Sequence, residues 1–139
     1  NPSPGTATNA IRYVEIATTG NTSDFGDLTV ARTGGTAAGS SSTRGLFAGG
    51  SPTLDVIDYI TIASTGNATD FGDLTEGVRD TSGASNKTRF VRGGGASPST
   101  SNVMDFVTIA STGNATDFGD LLSAVRGLGA KGNNHGGIS

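Results

Sequence analysis

The sequence predicts an all-β fold built from tandem repeats, and three observations carry that reading. The first is the repeat itself. Thr61 to Leu74 reads TIASTGNATDFGDL, and Thr108 to Leu121 reads the same, residue for residue. Ile16 to Leu28, IATTGNTSDFGDL, is a diverged third copy. The second is composition: 23 glycines with abundant Ser and Thr suit short strands joined by many tight turns. The third is periodicity, since no stretch shows the 3.6-residue pattern of an amphipathic helix.

The repeats are in register over the whole chain. Phe25, Phe71 and Phe118 mark equivalent positions, with steps of 46 and 47. Tyr13, Tyr59 and Phe106 each stand 12 residues before that Phe. Arg32, Arg79 and Arg126 follow it by seven or eight.

Four strands fit one unit. The clearest is Leu54 to Ala63, LDVIDYITIA, rich in the β-branched and aromatic residues that suit a pleated surface. Ile57, Tyr59 and Thr61 share one face; Asp58, Ile60 and Ile62 share the other. Apolar residues on both faces imply that both are covered. Matching strands are expected at Ala10 to Ala17 and at Asn102 to Ala110. A turn follows, Ser64 to Thr69, in which Gly66 and Asn67 tolerate positive φ. The hairpin returns through Asp70, Phe71 and Leu74. Beyond Arg79 comes a small-residue strand, Thr81 to Asn86, matched by Thr36 to Ser41. A short apolar strand closes the unit at Gly45 to Ala48 or Arg89 to Val91, ending on Gly49-Gly50 or Gly94-Gly95.

This order resembles the kelch repeat: Arg32, a small-residue strand, a strand ending in Gly-Gly, a strand with Tyr59, and a strand with Phe71. The resemblance implies a kelch-like β-propeller of four-stranded blades. It places the small-residue strands near a central axis and gives Gly49, Gly50, Gly94 and Gly95 the turn between second and third strands. The departure is at Phe25, Phe71 and Phe118, where kelch blades usually carry Trp; this chain has none. The repeats are also similar to arrays in structural proteins of marine phages.

A propeller closes with roughly four to eight blades, so three repeats per chain are too few. The expected organisation is a half blade (1–30), a blade (31–77), a second blade (78–123), and the start of another (124–139). Two chains joined head to tail would give six blades, each C-terminus completing the partner's first blade; a fragment of a longer array is the competing expectation. In the dimer reading the last second strand falls at His135 to Ser139.

Other signals read as structural. Asp-Phe-Gly repeats at unit spacing without the companions of a kinase site. Gly127 to Gly132 fits G-x-G-x-x-G but lacks the following helix and acid. Arg92-Gly-Gly-Gly95 is a single RGG tract in a chain of net charge −3, against nucleic-acid binding. Asn21, Asn67, Asn86 and Asn114 head glycosylation sequons, three of them in the repeated turn. Asp24, Asp27, Asp70, Asp73, Asp117 and Asp120 occur as a pair in every unit. Paired carboxylates can do acid–base work or collect calcium, but a catalytic site is normally one asymmetric place, so pairing with turn amides or with the repeated arginines is the favoured expectation. With no cysteine and one histidine, neither a disulfide framework nor a metal site is expected. No apolar run is long enough to span a membrane.

The functional expectation is a non-enzymatic structural or interaction module without cofactor, self-assembling, and virion-associated or extracellular. The alternatives are a carbohydrate-binding propeller facing a surface glycan and a propeller-scaffold glycosidase or lyase. The expected binding positions are Arg32, Arg79, Arg126, Ser51 and Thr53, with the loops Thr33 to Gly35, Asp80 to Thr81 and Ala96 to Ser101. A ring of arginines would suit an anionic ligand, but a structural contact between blades is the favoured expectation for them.

Overall fold

Strands form where β-branched and aromatic residues lie between glycine-bearing turns, and they recur in the same order in each repeat. The computed structural model describes residues 5–132. Its strands are β1 (Thr8–Tyr13), β2 (Ser23–Arg32), β3 (Ala37–Ser40), β4 (Arg44–Ala48), β5 (Leu54–Thr61) and β6 (Thr69–Val78). They continue with β7 (Ser82–Ser85), β8 (Arg89–Gly93), β9 (Ala96–Ser97), β10 (Ser99–Thr100), β11 (Val103–Thr108) and β12 (Thr116–Asp120). No helix occurs among the described residues. The fold is all-β, and its sheets are small and antiparallel.

Strands β3 to β6 form one four-stranded sheet in chain order. β7, β8, β11 and β12 form a second with the same meander. β1 and β2 pair alone and match β5–β6 and β11–β12. The short β9–β10 hairpin follows the second Gly-Gly turn, in a stretch read from sequence as loop.

Each outer hairpin carries the same irregularity. Ile57 faces Gly72 while Asp58 faces Asp70, so Phe71 is an extra residue in β6. Phe25 is extra in β2, and Phe118 in β12. An extra residue of this kind is a β-bulge: it steps out of the ladder and redirects its own peptide groups. The Asp-Phe-Gly triplet encodes that bulge. Its ring stays on the sheet, edge-on to the aromatic of the neighbouring strand, in Tyr13–Phe25, Tyr59–Phe71 and Phe106–Phe118, with centroids 6.0, 5.8 and 5.9 Å apart. That is a favourable aromatic geometry. Arg44 and Arg89 cap Tyr59 and Phe106 at 4.6 and 4.8 Å.

The core lies between the two four-stranded sheets and includes Leu46, Ile57, Phe71, Leu74, Val78, Phe90 and Val107. β3 lies against β7, and the small residues there are a packing requirement. A Cβ on Gly39 or Gly83 would fall 2.3 or 2.4 Å from the Phe90 ring. Ser85 Oγ accepts from the Ser40 amide at 2.9 Å and donates to the Ser40 carbonyl at 3.1 Å, tying the strands together. On the far side of β7, Gly132 sits so close to Ser85 that a Cβ would fall 2.1 Å from its carbonyl oxygen.

Several boundaries differ from the sequence reading. β1, β5 and β11 stop at Tyr13, Thr61 and Thr108 because a turn closes there, with Thr18, Ser64 and Ser111 donating to Glu15, Thr61 and Thr108. Asn67 does not adopt positive φ; among non-glycine described residues only Asp80 does, at 53°. His135 to Ser139 lies outside the described residues.

Phe71 is 2% exposed and Phe118 49% exposed at equivalent positions. Phe71→Ala is therefore expected to destabilise the chain by about 3–5 kcal/mol. Phe118→Ala should cost well under half of that. Urea denaturation of both variants compares them directly.

Candidate interaction site at the joints between sheets

The bulge gives each sheet a fixed place to receive the next one. With Phe71 out of register, its carbonyl points away from the ladder and accepts the Gly113 amide at 2.7 Å. Two residues on, the Asp73 carbonyl accepts the Ala115 amide at 2.7 Å, and the Asp73 amide donates to Asn114 Oδ1 at 3.1 Å. One repeat earlier the pattern recurs. Phe25 accepts from Gly66 at 2.7 Å, Asp27 accepts from Ala68 at 2.8 Å, and the Asp27 amide donates to Asn67 Oδ1 at 3.1 Å. The repeated turn is thus a clasp: two amides and one side-chain oxygen grip the outer strand of the preceding sheet. This is why Asn recurs in the turn without needing positive φ.

The bulge glycines make the approach geometrically feasible. Gly26 and Gly72 have φ of 149° and 143°, and a Cβ there would fall 2.2 and 2.5 Å from the carbonyl oxygens of Gly66 and Gly113. No L side chain fits that approach.

A second element of each joint is a buried carboxylate. Asp58 and Asp105 follow the same ladder position in their sheets and both are 0% exposed. Burying a carboxylate is tolerable only with a charge partner and full hydrogen bonding. Thr29 Oγ1 donates to Asp58 across the first joint. Across the second, Thr75 donates to Asp105 Oδ2 from both its amide (3.0 Å) and its hydroxyl (2.7 Å).

The guanidinium comes from different places in the two joints. Asp58 pairs with Arg32, at the end of β2, with Nη2 at 2.6 Å. Asp105 pairs with Arg92 in β8, through Nε at 2.9 Å and Nη2 at 2.6 Å. Arg92 also donates to Glu76 and the Gly94 carbonyl, at 3.2 and 3.1 Å, and Arg32 donates to the Gly49 carbonyl at 2.8 Å. Gly49 and Gly94 are equivalent, so both guanidiniums occupy one location in space while their Cα atoms differ in the repeat. Phe47 faces Asp58 where Arg92 faces Asp105, which leaves room for Arg32. Burial pushes Arg32 below the usual arginine range, and the Asp58 charge and hydrogen bond oppose that shift.

The sequence register of Arg32, Arg79 and Arg126 therefore does not describe a ring of equivalent side chains. Arg32 is buried in its ion pair. Arg79 is partly exposed, 3.8 Å from Asp80. Arg126 is exposed and borders an open hollow of about 540 Å³ with Gly35, Asp80 and Thr81. Ser51 uses its backbone, accepting from Thr33 and donating to Gly34, both at 3.0 Å. Thr53 is exposed. The repeated aspartates do not pair with arginines: among the described residues the arginine partners are Asp58, Asp80, Glu76 and Asp105. Asp117 accepts from the Gly119 amide at 3.3 Å, within the β12 bulge rather than in a turn. Arg92, read as part of a glycine-rich tract, is fully buried; a lone Arg two positions before Gly-Gly-containing sequence gave no signal of its role. Neither a family model nor a curated protein matches this chain.

Three outcomes test the joint. Asp105→Asn removes the buried counter-charge of Arg92 and leaves it only the partly exposed Glu76, and is expected to cost about 3 kcal/mol. The double replacement Arg92→Met with Asp105→Leu should recover most of that loss, as read by chemical denaturation. Gly72→Ala should also lower the melting temperature more than Gly119→Ala: both share the positive-φ penalty, but only position 72 meets a neighbouring turn.

Proposed function

We propose that this chain is a non-enzymatic structural and interaction module whose sheets are kelch-like propeller blades, and that it self-assembles to close the ring on a virion or another extracellular particle. The observation that carries the reading is the joint. One sheet-to-sheet contact is built twice, by the same backbone atoms, and the strongest polar investments of the chain are spent inside it. Asp58, Asp105, Arg32 and Arg92, the buried charges, all serve sheet packing. Most of the large apolar side chains left exposed among the described residues, Tyr13, Val14, Ile16, Val30, Phe118 and Leu122, lie in or beside the first and last hairpins; Ile62 and Leu128 lie outside them. Exposed apolar residues gathered at both ends of a stack fit a protein that continues the stack with a partner.

The meander of four strands per repeat and the inner-strand packing of β3 on β7 support the propeller arrangement. The resemblance to phage structural repeats supports the virion setting.

Light scattering coupled to gel filtration tests the reading. The expected mass is twice the 13.8 kDa of the chain. A stable, folded monomer at all concentrations overturns it.

A further inference from the structure

The two internal clasps each need a donor turn and an acceptor bulge, and the chain carries one unused copy of each. The first turn, Gly20-Asn21-Thr22, is equivalent to Gly66-Asn67-Ala68 and Gly113-Asn114-Ala115. It is exposed, and its amides and the Asn21 side chain have no partner among the described residues. The last bulge, at Phe118, is formed as in the other two hairpins, with Gly119 at φ 128°. Where a Cβ on Gly26 or Gly72 would strike a turn, one on Gly119 would meet nothing within 4 Å.

We propose that residues 20–22 of one chain clasp the Phe118–Asp120 bulge of a second copy of this chain. This rests on the self-assembly reading above and assigns its contact. In the joint, the Gly20 amide donates to the Phe118 carbonyl and the Thr22 amide to the Asp120 carbonyl. The Asp120 amide donates to Asn21 Oδ1. The occupant is a second copy because the two halves are complementary at every atom the internal clasps use, and both are already folded.

The joint differs from the internal ones in its buried part. Arg12 stands where Asp58 and Asp105 stand, and Leu122 where Thr29 and Thr75 stand. The carboxylate–guanidinium pair is therefore missing from it. The clasp and the exposed apolar side chains carry the contact, and the association is concentration-dependent.

Asn21→Ala is the test, made in the full chain. Asn21 is exposed and makes no contact that the isolated chain needs, so the melting temperature of the dilute protein should not change. Self-association, followed by light scattering over a dilution series, should weaken roughly 5- to 30-fold per joint, the effect of leaving one buried amide unpaired. Asn67→Ala is the reference for the intact internal clasp and should lower the melting temperature itself. Hydrogen exchange should show Gly20, Thr22 and Asp120 gaining protection as the protein is concentrated. If the protein associates but Asn21→Ala associates as tightly and those amides stay unprotected, the clasp is overturned while self-assembly stands. If the unmutated protein is a monomer throughout, both fall. Retention of a different protein on these edges, with no homotypic association, overturns the assignment of the partner.

Discussion

A single carbonyl displaced from its ladder sets how these sheets can sit together. β6 is the edge strand of its sheet, so the Phe71 carbonyl, at the bulge and facing outward, has no strand partner there. A carbonyl enclosed by packing must find a donor. The Gly113 amide is that donor. The spacing of the two hairpins follows, because an N–H···O bond of 2.7 Å leaves no freedom of approach. The packing of Phe71, Leu74 and Val107 then forms around a distance already fixed by backbone atoms. Side chains in the repeat are free to diverge as long as the bulge, its glycine and the turn persist.

The buried ion pairs act on the same joint in a different way. Hydrogen bonds from Thr29 or Thr75 reach a carboxylate carried by the next sheet, so that charge is satisfied only when two repeats are docked. A lone repeat would hold Asp105 beside Arg92 with part of its coordination open to water. Docking completes the shell. Such pairs add little net stability compared with apolar replacements, but they penalise any arrangement that leaves them incomplete.

Much of the architecture was legible in the sequence because the information is periodic. The identical stretches at Thr61 and Thr108, the alternation in Leu54 to Ala63 and the Gly-Gly pairs reflect backbone requirements, which repeat when the backbone repeats. The joints were less legible. The role of Asn67 is carried by its side-chain oxygen across 40 residues, and turn chemistry alone explains its presence equally well. Arg92 was hidden because its counterpart in the first joint is Arg32, carried by the previous unit, so aligning the repeats places the two residues in different columns. Physical equivalence here lies at the Gly49 and Gly94 carbonyls, a spatial criterion that no spacing rule contains.

That relocation of the guanidinium makes the order of the repeats meaningful. The sheet of β3 to β6 carries Asp58 with Phe47, not an arginine, opposite it in β4, so the guanidinium comes from the unit before it. The sheet of β7, β8, β11 and β12 supplies its own. Exchanging the two units would leave Phe47 opposite an acid whose neighbour no longer reaches it, or would crowd two guanidiniums around one carboxylate. Near-identical units are thus not interchangeable parts. Each unit fits the neighbour it has, because one acid draws its guanidinium from the unit before it and the other from its own sheet.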